Sequence, residues 1–86
     1  MYTKKTVIIN ETGLHARPAS QLVQFAKKFP EEIYIVGNDK KINLKHILEL
    51  LTAGLKKSTE IEVQVIGENE ESVCNEIVDF IQNLSE

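Results

Sequence analysis

A chain of 86 residues is the size of one compact domain, and its 42% hydrophobic and 27% charged residues are ordinary for a soluble globular protein. A net charge of −3 without any Lys/Arg-rich block excludes the electrostatic footprint of a nucleic-acid binder. No run approaches the roughly 20 apolar residues of a membrane span, and Met1-Tyr2-Thr3-Lys4-Lys5 leads into an alternating pattern instead of a signal-peptide run, so a cytoplasmic protein is expected.

Thr3 to Ile9 mixes Thr, Val and Ile with lysines and is followed by the turn signal Asn10-Glu11-Thr12-Gly13, which predicts a first strand. From Ala16 to Phe29 the residues Ala19, Leu22, Val23, Ala26 and Phe29 recur every three or four positions, which predicts a helix. His15 stands just before it. Pro18 suits the first turn, where a missing N–H costs no helical hydrogen bond.

Ile33-Tyr34-Ile35-Val36 predicts a second strand, Gly37-Asn38-Asp39 a hairpin turn, and Lys41-Ile42-Asn43 a short third strand. Leu44, Ile47, Leu48, Leu51 and Leu55 mark a second helix with a wide apolar stripe, ended by Gly54 and the polar Lys56-Lys57-Ser58-Thr59. Ile61, Val63 and Val65 alternate with Glu60, Glu62 and Gln64 up to Gly67, the pattern of a strand with one buried and one wet face. Asn69 is placed as an N-cap and Glu70 and Glu71 in a first turn. Val73, Ile77, Phe80, Ile81 and Leu84 then line a last helix. The order βαββαβα predicts an α+β domain over residues 1–86, with helices packed on one face of a mainly antiparallel sheet.

Chemistry concentrates in Gly13-Leu14-His15-Ala16-Arg17-Pro18-Ala19. A histidine at a helix start sits beside N–H groups without helical partners and at the positive end of the helix dipole, an arrangement that attracts anions. A phosphoryl group on the ring brings close to two negative charges, roughly what a phosphorylated side chain carries at neutral pH. Arg17, two residues on, offers a planar set of donors to it. The alternative is a histidine N-cap beside a solvated arginine. No metal-ligand spacing surrounds His15 or His46, and no serine or cysteine is paired with a base. Gly54-Leu55-Lys56-Lys57-Ser58-Thr59 lacks the glycines and strand context of a nucleotide loop. Neither metal nor cofactor is expected, and Cys74, the single cysteine, reads as a small core residue.

The Gly13–Ala19 segment resembles the phosphorylation signature of the HPr family, phosphocarriers of the bacterial phosphoenolpyruvate-dependent sugar phosphotransferase system, and the likeness extends over the chain in element order and spacing. The resemblance implies an open-faced β-sandwich, four antiparallel strands covered on one side by three helices. It implies that His15 accepts phosphate on Nδ1 from enzyme I and gives it to IIA proteins, with Arg17 and the helix start, Ala16 and Pro18 included, supporting the phosphate. It further implies docking on the exposed faces of the first two helices, through Ser20, Gln24, Lys27 and Lys28 beside Ile47, Leu48 and Leu51. A small carrier that alternates between partners is expected to act as a monomer.

Two positions depart from the family's usual pattern. His46 stands where Gram-positive members carry a regulatory serine, and an imidazole cannot become a phosphoserine. Glu49 stands where a small residue is usual and adds a negative charge to the docking surface. These departures keep a second reading open, a regulatory binding module of the same fold that acts on a transcription factor or metabolic enzyme by surface contact.

Overall fold

Alternation decides the sheet. Ile61, Val63 and Val65 are buried while Glu62 and Gln64 between them stay half-exposed, and Ile33 and Ile35 repeat the pattern beside them. The computed structural model describes residues 1–84, which run as β1 (Tyr2–Val7), α1 (Ala16–Ala26), β2 (Glu32–Gly37), β3 (Lys40–Asn43), α2 (Ile47–Thr52), β4 (Glu60–Ile66) and α3 (Glu70–Gln82). The strands make one antiparallel sheet in the order β1-β4-β2-β3. Ile35 is paired with Val63 and Ile42, so one buried row crosses three strands. Leu22 and Val23 of α1, Leu50 of α2, and Val73, Cys74 and Ile77 of α3 close over that face. The opposite face carries Tyr34, Val36, Glu62 and Gln64 and has no helix over it, which makes the architecture the expected open-faced α+β sandwich.

Four local expectations are corrected by the tertiary structure. The first strand ends at Val7 instead of Ile9, because Ile8 leaves β4 and bonds the 58–59 segment. The first helix ends at Ala26 instead of Phe29. Lys28 and Phe29 reach back only three residues, to Phe25 and Ala26, and Pro30 disfavours helical geometry at Phe29. Lys45 Nζ then holds the exit by donating to the carbonyls of Phe29 at 2.5 Å and Glu31 at 2.7 Å.

The second helix departs most. It has six residues, and only two of its supposed stripe, Ile47 and Leu51, are helical and packed on the core. Leu44 precedes it, buried, with its N–H on the Ile33 carbonyl at 2.9 Å, and Leu55 follows it, buried, in a loop. Leu48 is 73% exposed, and the fully buried residue of the helix is Leu50. One helical spacing of apolar residues thus runs across three segments of different geometry. Asn38 and Asp39, both in the left-handed region, turn the β2–β3 hairpin, and the Asn38 Nδ2 donates to the carbonyls of Ala53 and Gly54 at 3.3 and 3.0 Å. The hairpin tip thereby caps the end of α2, with Gly54 (φ +68°) leading the chain away.

The fourth correction is at α3. Asn69 occupies the N-cap position but its side chain makes no cap hydrogen bond, and its backbone N–H instead donates to the buried Glu31 at 3.1 Å. Asymmetry within α2 makes a direct test. Leu50→Ala is expected to lower the free energy of unfolding by about 2–5 kcal/mol, whereas Leu48→Ala stays within about 0.5 kcal/mol of the parent; urea unfolding of both variants measures the contrast.

Candidate functional site

The loop between β1 and α1 is built against a second loop more than forty residues away. Ile8, fully buried, donates its N–H to the Thr59 carbonyl at 3.0 Å and accepts from the Ser58 N–H at 2.7 Å. A tight turn follows, closed by the Gly13 N–H on the Asn10 carbonyl at 3.0 Å. Leu14 N–H then donates to the Leu55 carbonyl at 2.8 Å while the Leu14 side chain is buried. Gly13 has φ +71°, and a methyl group placed on it would lie 2.4 Å from the Leu55 oxygen and 2.7 Å from Lys56 Cα. Only glycine permits this approach. Glu11 and Lys57 pair across the two loops at 2.7 Å, and the Lys57 ammonium holds the Glu11 carboxyl below the ordinary carboxylate range.

With Leu14 fixed in the core, the next residue is displayed outward. His15 is exposed, extended in backbone (φ −114°, ψ 176°), and stands at the N-cap of α1 with its ring uninvolved in capping. Its carbonyl accepts the first helical hydrogen bond, from Ala19 N–H at 2.9 Å. The N–H groups of Ala16 and Arg17 precede that bond, at the positive end of the helix, and the first turn holds no carboxylate. Pro18, third in the helix and buried, brings no N–H, and Arg17 is exposed. The structure thus gathers an accessible imidazole, a guanidinium and a helix start within three residues, an arrangement suited to holding a dianionic group at the surface.

His46 also stands at a helix start, but its ring is engaged. Its Nδ1 lies 2.7 Å from Glu49 Oε2, and Glu49 Oε1 accepts the Asn43 N–H at 3.1 Å. The His46 hydrogen bond, and after it the Asn43 N–H, hold the Glu49 carboxyl below its ordinary range. Here the helix supplies its own anion.

Among the residues proposed for docking, Gln24 is exposed on α1, Lys27 and Lys28 are exposed just past its end, and Ser20 is half-buried. Ile47 and Leu51 are half-buried against the core, and Leu48 is exposed. Lys27, Ile47 and Leu48 line one surface depression together with Lys45, His46 and Glu49; Ser20, Gln24 and Leu51 lie outside its lining. Cys74 is buried, with its thiol 3.6 Å from the Val63 carbonyl and pushed up in pKa by burial. Among the described residues no group of three or more His, Cys, Asp or Glu side chains could hold a metal, and no helix is long and apolar enough to cross a membrane.

The family model described as "PTS HPr component phosphorylation site" matches residues 2–83. The chain belongs to the HPr family. It is 36% identical over 84 residues to the phosphocarrier protein HPr of Haemophilus influenzae, covering 98% of this chain and 99% of that one. It is 39% identical over 71 residues to the HPr of Mycoplasma capricolum, covering 83% and 80%. The crystal structure of HPr-C-His from Thermoanaerobacter tengcongensis superposes with a TM-score of 0.90 at 35% identity, over 95% of this chain and 92% of the other. As a member of the HPr family this protein is a phosphocarrier of the phosphotransferase system, working through phosphohistidine in sugar transport.

The contacts that build the site were not visible in the local sequence. Leu55 fits the apolar stripe of a second helix and Lys56 and Ser58 its polar end, yet Leu55 and Lys56 form the shelf on which Gly13 and Leu14 rest, and Ser58 holds Ile8. Only the glycine in Gly13-Leu14-His15 signalled that something must come close.

Proposed function

We propose that His15 is the phosphorylated residue, taking its phosphoryl group from phosphorylated enzyme I and passing it to IIA proteins, in the cytoplasm and as a monomer. One observation carries this reading: the His15 ring is exposed at the start of α1, ahead of the Ala16 and Arg17 N–H groups, with the guanidinium two residues on. A neutral ring nitrogen attacks phosphorus, the bond from phosphorus to the donor breaks as the new phosphorus–nitrogen bond forms, and the reverse exchange delivers the group to the acceptor. Arg17 and the opening amides spread the charge of the bound group, and Ala16 is small enough to leave those amides approachable. Pro18 stiffens the turn that aims them. An open, surface-held phosphate suits a carrier, because a site that enclosed it would retain it. Gln24, Lys27 and Leu48 face the partner, with Ser20, Ile47 and Leu51 at the margin of the contact.

The test is incubation with phosphoenolpyruvate and a competent enzyme I. One acid-labile, alkali-stable phosphate per chain is expected, and a chain that stays unlabelled would overturn the reading. Arg17→Ala should slow uptake about tenfold, the equivalent of roughly 1.4 kcal/mol and of one charge-assisted hydrogen bond. Stopped-flow or quench measurement of the labelling rate checks it, with Arg17→Lys falling between the two.

A further inference from the structure

The shelf beneath the site loop carries a cation that the phosphoryl site itself does not account for. Lys56 follows Leu55, whose carbonyl holds Leu14, and the Lys56 Cα abuts Gly13 so closely that a methyl group there would come within 2.7 Å. Its backbone is fixed at both sides, by the Leu55 bond and by its own carbonyl accepting from Thr59 N–H at 3.1 Å. The side chain is exposed, and among the described residues it has no hydrogen bond or ion pair. The acid that the paired loops contain, Glu11, is already taken by Lys57 at 2.7 Å. Two cations without a carboxylate partner among the described residues, Arg17 and Lys56, therefore lie on the two segments that meet at the site: one on the helix that His15 opens, the other on the loop packed against Gly13, two residues before His15.

On the reading that His15 carries the phosphoryl group, we infer that Lys56 is a docking residue for the phosphoryl donor, meeting an acidic group on that protein beside the reacting histidine. A lysine is a compact, hydrated point charge on a flexible stem, suited to steering an acidic surface rather than to planar recognition of one group. Its position ties it to the site: the same backbone that sets the Gly13–His15 geometry also sets where the ammonium is displayed. The complementary charge belongs on the partner because none of the described residues supplies it.

The test uses the intact protein, phosphoenolpyruvate and enzyme I, with Lys56→Gln, Lys56→Glu and Lys56→Arg. Loss of one exposed charge should raise KM for phosphoryl uptake about threefold in Lys56→Gln, and reversal about tenfold in Lys56→Glu, with kcat at saturation unchanged. Lys56→Arg should keep the parent KM. The differences should shrink between low and high salt, since exposed charges are screened, and equal melting temperatures would show that the fold is intact. An unchanged KM for Lys56→Glu at low salt overturns the inference while leaving the carrier reading standing, as does a KM effect indifferent to salt. A parent chain that takes no phosphate from a competent enzyme I overturns the carrier reading and this inference with it.

Discussion

Replacing His15 by alanine is expected to reduce phosphate uptake from enzyme I to background while leaving the protein folded. The ring is exposed and makes no cap hydrogen bond, so its removal should shift the free energy of unfolding by no more than about 0.5 kcal/mol. Uptake, in contrast, loses its nucleophile. His46 offers no substitute, because its ring is held by Glu49 at 2.7 Å and its helix start is already served by that carboxylate. Accordingly His46→Ala should label as the parent does, and His15→Ala should not label at all. The same variant separates the carrier from a regulatory binding module: a module that works by surface contact would keep its physiological partner when His15 is lost, and its phosphate would reach no IIA protein. Labelling with radioactive phosphoenolpyruvate, followed by acid and alkali treatment, reads the result.

The second large effect is structural and reaches the site from beneath. Gly13→Ala is expected to cost about 3 kcal/mol, summing roughly 1–2 for a left-handed residue with a side chain and 1–3 for forced overpacking. The new methyl would collide with the Leu55 oxygen and with Lys56 Cα, both of them backbone, so relief requires the two loops to part. Parting them breaks the Leu14–Leu55 hydrogen bond and frees the residue before His15. Phosphate uptake should therefore fall along with stability. Gly54→Ala is the control: its φ of +68° imposes the same conformational strain, but no atom lies within 4 Å of the added carbon. It should cost about 1 kcal/mol, the conformational part alone, and leave uptake near the parent rate. Urea unfolding of the pair separates strain from collision.

Most of the architecture was legible because it depends on local pattern. Ile61-Glu62-Val63-Gln64-Val65 can bury only one face of an extended strand, and Ala19-Leu22-Val23-Ala26 only one stripe of a helix. The grouping at the candidate site was legible for the same reason: His15, Ala16, Arg17 and Pro18 are consecutive, so a helix start suffices to bring them together. The second helix was not. Leu44, Leu48 and Leu55 share a helical spacing with Ile47 and Leu51, and nothing local says that the first belongs beside β2, the second to solvent and the third to a loop.

By itself, then, the amino-acid order determined the element sequence, the buried faces, and the grouping of a histidine with an arginine at a helix start, since each follows from spacing within a dozen residues. Tertiary structure alone decided where α2 starts and stops, that Asn38 caps a helix from the neighbouring hairpin, and that Leu55 and Lys56 lie under Gly13. Those outcomes depend on which backbone groups meet across distant parts of the chain. Periodicity reports which side of an element is apolar; it carries no information about the carbonyl that a distant N–H will find.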